Sequence, residues 1–262
     1  GALAIRELDA IAAVMDLPPD QVGMWLELAV MLGLVGPSPE QDVLLPTVAF
    51  EAFQDLAPEV IWAAAASAWW GSQRAWERCG DAELERLEPL GDALASGLVG
   101  ATRARWAEFF ELLPPGEGIS VAEAQRVLGV KYPLVDRSRQ DRIVAAVVQQ
   151  AELLGVTGRG ALSAVGRWLA TAGDVPTPDP LALVETTEPE LVSLASAMLP
   201  PTVDHLLLQA DLTMVAPGPL TPDVARRLRD LADVESSGVA TVYRLSVASI
   251  ERAIDRGWTA DS

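Results

Sequence analysis

Apolar residues recur at helical spacing from the start of the chain. Ile5, Leu8, Ile11, Ala12 and Met15 fall on one helix face, and Leu17-Pro18-Pro19-Asp20 breaks that helix and caps a second one over about residues 21–32. After Gly33 the chain reads Leu34-Val35, a Gly36-Pro37-Ser38-Pro39 turn and Val43-Leu44-Leu45, and Pro46-Thr47 opens another helix. Helix, turn, helix and short hairpin is the outline of a winged helix. The outline returns over 103–171. A helix over 103–112 ends at Pro114-Pro115-Gly116, the capping box Ser120-Val121-Ala122-Glu123 opens a second to Leu128, and a third spans about 138–154 before a Thr157-Gly158-Arg159-Gly160 turn. The last helices of the two copies end alike, in Leu28-Ala-Val-Met-Leu-Gly33-Leu-Val and Gln150-Ala-Glu-Leu-Leu-Gly155-Val-Thr.

Between the copies, residues 56–100 read as helices carrying Trp62, Trp69, Trp70 and Trp76, packing material that joins the modules. Trp62, Trp69 and Trp76 are seven residues apart, which places them along one helix side. Residues 172–180, Ala-Gly-Asp-Val-Pro-Thr-Pro-Asp-Pro, predict a stiff acidic linker and a domain boundary. A helix over 188–198 leads to Pro200-Pro201, and the period then changes to two. A strand over 206–215, a helix over 222–232, a strand over 240–245 and a helix over 247–256 describe a compact β-α-β-α module with Gly218 and Gly238 at its turns. The expected fold is therefore mainly α with a small α/β module. It comprises a first winged helix (1–55), a helical connector (56–100), a second winged helix (101–171), a Pro-rich linker with a helix (172–202) and the α/β module (203–262).

Charge changes this picture unevenly. The 262 residues carry 37 acids against 19 bases, a net charge of −18. A generally cationic nucleic-acid or membrane binder is excluded, but a local basic face is not. Residues 1–60 hold ten acids and one base, 171–203 five acids and no base, and only 101–170 are positive, with nine bases to seven acids. Any anion-binding surface is expected there. The bases are Arg apart from Lys131, a skew that fits a GC-rich bacterial genome. Uninterrupted apolar runs are too short for a membrane span, and Arg6, Glu7 and Asp9 replace the basic-then-apolar start of a signal peptide. The chain reads as soluble, cytoplasmic and without a membrane partner, with nucleoid association open. Its Gly1-Ala2 start and its end just after a helical pattern suggest a piece of a longer protein.

Catalytic chemistry is not assembled anywhere in the sequence. One cysteine, Cys79, and one histidine, His205, supply neither a disulfide scaffold nor a Cys/His zinc site, so no metal or cofactor is expected. A P-loop ATPase needs a Gly-rich loop followed by Lys and a hydroxyl residue, whereas Lys131 precedes Tyr132-Pro133. Ser163 in Gly160-Ala-Leu-Ser-Ala-Val-Gly166 is wrongly spaced for a nucleophile elbow. The carboxylates Asp81, Glu83 and Glu85 read as a solvated face, and Cys79 as an ordinary buried thiol. The seven-spaced tryptophans, with Trp168 and Trp258, are read as core packing in preference to base stacking. No enzyme is expected within these residues.

The third helix of the second copy holds the candidate chemistry. Ile143, Val147, Ala151 and Leu154 form a buried stripe, and Arg142, Ala145 and Gln149 project oppositely. Arg137 and Arg139 stand at its first turn, Arg159 at the tip of the hairpin and Arg167 behind it. A winged helix reads DNA with its third helix and its wing, so Arg137, Arg139, Arg142, Gln149, Arg159 and Arg167 form the candidate DNA-binding set. The competing reading pairs Arg137, Arg139 and Arg142 with Asp136 and Asp141 on a solvent face. The second-to-third region of the first winged helix displays Asp20 and Glu27 and no base, which points to protein contact.

From His205 the chain reads Leu-Leu-Leu-Gln209-Ala-Asp211-Leu-Thr213, then Leu231-Ala-Asp233-Val-Glu235-Ser236 and Thr241-Val-Tyr243-Arg244-Leu-Ser246. This resembles the N-terminal damage-recognition region of XPB-type DNA helicases. It resembles more closely the helicase-associated, XPB-like domain of a bacterial family whose members often lack a recognisable motor, most strongly over 203–258. The resemblance implies a module that engages DNA or docks against helicase or repair partners, with Gln209, Asp211, Thr213, Tyr243 and Arg244 at the matching positions. Read as a strand, 206–215 puts Gln209, Asp211 and Thr213 on one face with Leu207 and Val215, where structural hydrogen bonding competes with ligand contact. The expected function is a non-catalytic, DNA-engaging or helicase-associated accessory region in repair or transcription. Its expected partners are double-stranded or forked DNA, or helicase, repair or transcription proteins. The alternative is a protein-interaction scaffold that uses acidic winged-helix faces without touching DNA.

Overall fold

The computed structural model describes residues 2–259 apart from 39, 41–42, 80–85, 115, 174 and 239. The acidic run Asp81, Glu83 and Glu85 lies outside the described residues. The chain divides into two compact units, one of residues 1–50 and 59–197, the other of 51–58 and 198–262.

The larger unit is helical. It begins with α1 (Ile5–Met15), α2 (Pro19–Met31), a hairpin of β1 (Val35–Pro37) and β2 (Leu44–Pro46), the first residues of the short α3 (Val48–Phe53), whose residues 51–53 belong to the smaller unit, and α4 (Pro58–Gly71). Two 3-10 turns, Trp76–Cys79 and Asp92–Leu94, lead to α5 (Gly97–Ala107), which tightens into a 3-10 segment over Glu108–Leu112. Then come α6 (Val121–Lys131), α7 (Arg137–Leu153), a hairpin of β3 (Thr157–Gly158) and β4 (Ala161–Leu162), α8 (Ala164–Ala172), α9 (Leu183–Thr186) and α10 (Pro189–Met198). The expected capping box forms, with Ser120 Oγ accepting from Glu123 N and the Glu123 carboxylate accepting from Ser120 N.

The two halves of this unit share one helix stop. Gly33 and Gly155 both take positive φ, 65° and 63°. After each, the next amide reaches five residues back, Leu34 N to Ala29 O at 2.7 Å and Val156 N to Ala151 O at 2.9 Å. Each hairpin then closes identically, by Thr47 N on Leu34 O and Ser163 N on Val156 O. A Cβ at Gly33 would collide with the Pro180 ring and one at Gly155 would meet Trp62 at 2.8 Å, so both positions need glycine for space as well as conformation.

Three expectations are corrected here. Trp76 does not share a helix with Trp62 and Trp69, because α4 ends at Gly71, although Trp69 and Trp76 are both fully buried. Trp168 and Trp258 are half-buried and not core. The Pro-rich stretch over 172–180 packs within the larger unit, burying Val175 and receiving the Trp70 indole N–H on the Gly173 carbonyl at 3.4 Å. The division between units falls after Ala197.

The smaller unit contains β5 (Leu207–Leu208), β6 (Thr213–Ala216), α11 (Pro222–Leu231), β7 (Asp233–Ser236), β8 (Thr241–Arg244) and α12 (Val247–Asp255). Its strands form one antiparallel sheet in the order β5-β6-β8-β7. The strand expected over 206–215 is two strands and a reversal, because Leu212 takes φ 65° and its amide donates back to Gln209 O. The β7 strand was not expected: Asp233-Val-Glu-Ser is exposed along its length and sits at the sheet edge, where charge discourages further pairing. Met214, Ala216, Leu220, Leu228 and Ala232 form the core of this unit. Residues 51–58 are tied in by Asp55, which accepts from Arg229 at 2.6 Å.

Buried polar groups fix the larger unit. Arg103 is 1% exposed, lies 4.4 Å over the Trp69 ring and donates through Nη1 to the carbonyls of Trp70 at 2.6 Å and Ser72 at 2.9 Å, tying off the chain beyond α4. Burial pushes its guanidinium down to about 9, against the opposing pull of Glu77, so it stays charged at neutral pH. Glu27, expected on a displayed acidic face, is instead 2% exposed and accepts from Arg74 Nη2 at 2.9 Å and Leu90 N at 2.6 Å. Removing the Glu27 charge strands Arg74 against protein. The substitution Glu27→Gln is expected to lower the unfolding free energy by about 3 kcal/mol, since Arg74 keeps some water contact. Urea unfolding with an unchanged slope is the measurement.

Candidate nucleic-acid interface

At the start of α7, Asp136 caps the helix by accepting from Arg139 N at 2.8 Å. Arg137 donates through Nε to Asp141 at 2.9 Å, one turn further on. Arg139 is exposed and, among the described residues, its side chain has no ion pair. Arg142 does not project away from the core as expected. It is half-buried and shares with Arg139, Ile143, Arg78, Glu77 and Leu87 a cavity of about 260 Å³. Residues from 75–78 and 93–96, with Leu87, face this side of α7 across the cavity, a second neighbour that one helix's periodicity cannot announce.

At the other end of α7 the expected stripe is buried, with Ile143, Val147, Ala151 and Leu154 all at or below 5% exposure. Trp69 Nε1 donates to Gln150 Oε1 at 3.0 Å, and Trp62 Nε1 to Leu154 O at 2.5 Å. Glu152 reaches into the hairpin turn. Its carboxylate accepts from Arg159 N at 2.7 Å, Thr157 Oγ1 at 3.0 Å and Gly160 N at 3.4 Å, and holds Arg159 at φ 53°. Partial burial raises this carboxyl's pKa, but the three donors outweigh it and leave the group below its ordinary 4.5. The Arg159 side chain is exposed without an ion pair among the described residues and, with Gln149, Ile119, Val121, Val148 and Leu153, lines a cleft of about 690 Å³. Arg167 is also exposed, but its Nη1 donates to Leu162 O at 2.8 Å and braces the hairpin.

The candidate set is thus split. Gln149 and Arg159 meet in one cleft, Arg139 and Arg142 in a cavity at the opposite end of the helix, and Arg137 and Arg167 make internal contacts. Two cations escaped the sequence reading. Arg126 stands exposed on α6, whose Ala124 and Leu128 point inward at a spacing that already predicts it outside. Arg78 comes to α7 only through the fold.

In the smaller unit the Gln209, Asp211 and Thr213 string builds the β5-β6 reversal and does not lie along a strand face. Thr213 Oγ1 lies 2.6 Å from Asp211 Oδ1 and 3.1 Å from Gln209 Oε1, and Thr213 N donates to Asp211 Oδ1 at 3.2 Å. The Thr213 hydroxyl and amide hold the Asp211 carboxyl below its usual range. Arg244 closes the turn, donating to Asp211 O at 3.3 Å and to Glu235 at 2.8 Å. Burial pushes the Tyr243 phenol up, and its ring lines a cavity of about 550 Å³ with Arg226, Arg229, Asp55 and Asp230, a wall of both signs. These residues are the geometry of a hydrogen-bonded turn.

The remaining reactive groups are engaged or shielded. Ser163 caps α8, accepting from Gly166 N at 3.0 Å. Cys79 is buried, and that burial, with Glu27 and Glu77 nearby, pushes its thiol up to about 12. Among the described residues no group of His, Cys, Asp or Glu is placed to hold a metal ion, and no helix is long and apolar enough to cross a membrane.

The Glu152 clamp gives a pH test. Its folded pKa lies below the unfolded one, so its stabilisation is complete above about 4.5 and fades as pH falls through the lower folded value. Protection of the Arg159 and Gly160 amides against hydrogen exchange, corrected for the intrinsic rate, is expected to drop in that acid window. In Glu152→Gln the protection is expected to be weaker at neutral pH and flat through the same window.

Residues 206–262 match the family described as helicase conserved C-terminal domain. No curated protein and no solved structure matches the chain. The C-terminal segment, with its hydrogen-bonded turn and antiparallel sheet, is thus similar to a domain found in helicases.

Proposed function

We infer that this chain is a non-catalytic accessory region of an XPB-like, helicase-associated protein, and that it engages duplex or forked DNA in repair or transcription. The observation that carries this reading is the helicase-family match over residues 206–262. Support comes from α5, α6 and α7 followed by the β3-β4 hairpin, which is the element order of a winged helix. These elements lie in the one positive stretch of the chain, and Arg139 and Arg159 hold their guanidinium groups in solvent at the third helix and the wing. In this reading Arg139 and Arg142 meet phosphates at the first two turns of α7, while Gln149 and Arg159 meet the groove and backbone beside the hairpin. Arg137 and Arg167 position these elements. The protein-interaction scaffold remains the second reading, favoured by the ten acids in residues 1–60 and by the neutralised Arg137.

Titration of labelled duplex and forked DNA at about 50 mM salt, then at rising salt, separates the two. Binding is expected to weaken with salt by a slope of about −0.9 for each phosphate neutralised, and Arg139→Ala and Arg159→Ala are each expected to reduce that slope by about one. Absence of binding, or binding unchanged when Arg139, Arg142 and Arg159 all become Ala, overturns the DNA reading and favours the scaffold.

A further inference from the structure

An arginine-rich corner of the smaller unit has no part in the interface above. The α11 helix carries Arg226-Arg227, and Arg256 follows the end of α12. Gly257 then takes φ 92°, and Trp258 N donates back to Ala253 O at 3.1 Å, the same kind of stop that Gly33 and Gly155 make. The reversal lets the Trp258 indole N–H donate to Asp230 on α11 at 3.1 Å. Arg256 bonds the same carboxylate. Arg226 is held by Asp223 at 2.5 Å and lies 3.5 Å from Asp55. These contacts orient two guanidinium groups and one indole around an open cavity of about 340 Å³, walled by Arg226, Arg227, Arg256, Gly257 and Trp258. No carboxylate is among these lining residues. Arg227 is exposed and, among the described residues, has neither an ion pair nor a hydrogen bond from its side chain.

Three arginine side chains beside a half-buried indole suit a phosphate attached to a flat ring. The guanidinium fork matches phosphate oxygens, and an indole stacks on any base whose face is open. The cavity volume lies at the lower end of the range for small-ligand sites, about 300–1,000 Å³, which accommodates one nucleotide. Its openness leaves room for a chain to enter and leave, and a base still stacked inside a duplex offers no face to the indole. We propose that this corner binds one nucleotide of a single-stranded nucleic acid, with the phosphate on Arg227 between Arg226 and Arg256 and the base against Trp258. The site uses none of the arginines of residues 101–170, so it stands or falls apart from the duplex reading.

The test is fluorescence anisotropy of labelled oligothymidylate with the whole chain at about 50 mM salt. Arg227→Ala and Trp258→Ala are each expected to weaken binding by roughly five- to a hundredfold, while Trp258→Phe, which keeps a ring, retains most of it. Arg227→Ala is expected to unfold at the same temperature as the parent, so its loss reports binding and not folding. Arg159→Ala is expected to leave oligothymidylate binding intact while weakening duplex binding. The proposal is overturned if oligothymidylate fails to bind, or if Arg227→Ala binds it unchanged. Thymidine monophosphate that competes as strongly as the strand also overturns it, by assigning the corner to a free nucleotide.

Discussion

Two indole N–H groups on α4 decide where the last turns of α7 lie. Trp62 donates to the carbonyl that ends the helix and Trp69 to the buried amide of Gln150. A buried indole or carboxamide without a partner costs about 1–3 kcal/mol, so these bonds select one seating of the helix on its neighbour. The position of the hairpin follows, because Gly155 stops the helix directly after the Leu154 carbonyl and Glu152 holds the turn from the helix side. The tryptophans of α4 are thus the reason the β3-β4 hairpin sits where it does.

Electrostatics explains how a chain of net charge −18 offers cations at all. Carboxylates pin most arginines of the smaller unit, as Glu235 pins Arg244 and Asp233 pins Arg252. Such exposed pairs add little stability, typically under about 1 kcal/mol each, but they fix where a guanidinium points. Among the described residues, exposed arginines without a carboxylate ion pair, such as Arg139 and Arg159 in one unit and Arg227 in the other, contribute charge that a neighbouring acid has not already cancelled. Repulsion from the distant acidic segments is screened within about 8 Å at physiological salt, so local pairing matters more than the total.

The elements governed by local chemistry were legible in the sequence. The capping box at Ser120, the glycine stops at Gly33 and Gly155, and the buried stripe of α7 follow from residues within one or two turns of each other. What escaped depends on contacts from far along the chain. Arg142 was placed outside because α7 was read with one covered face, and the connector faces another. Glu27 was read as displayed because its partner, Arg74, lies 47 residues away. The 206–215 segment reads as one strand since Leu is a poor marker of a left-handed turn, and the bonds among Gln209, Asp211, Leu212, Thr213 and Arg244 hold the reversal at Leu212. The resemblance to helicase-associated domains located the right segment, although its polar string turns out to fold the domain.

The burial of Cys79 has a practical consequence. It is the only cysteine in the chain, it has no exposed surface, and Gly23 of α2 lies against it so closely that an added Cβ would sit 3.0 Å away. A thiol reagent gains access to it when α2 lifts from the turn that carries the sulfur. Labelling of the unaltered protein therefore clocks the opening of its N-terminal helices, and a partner that clasps those helices would register as a slower reaction.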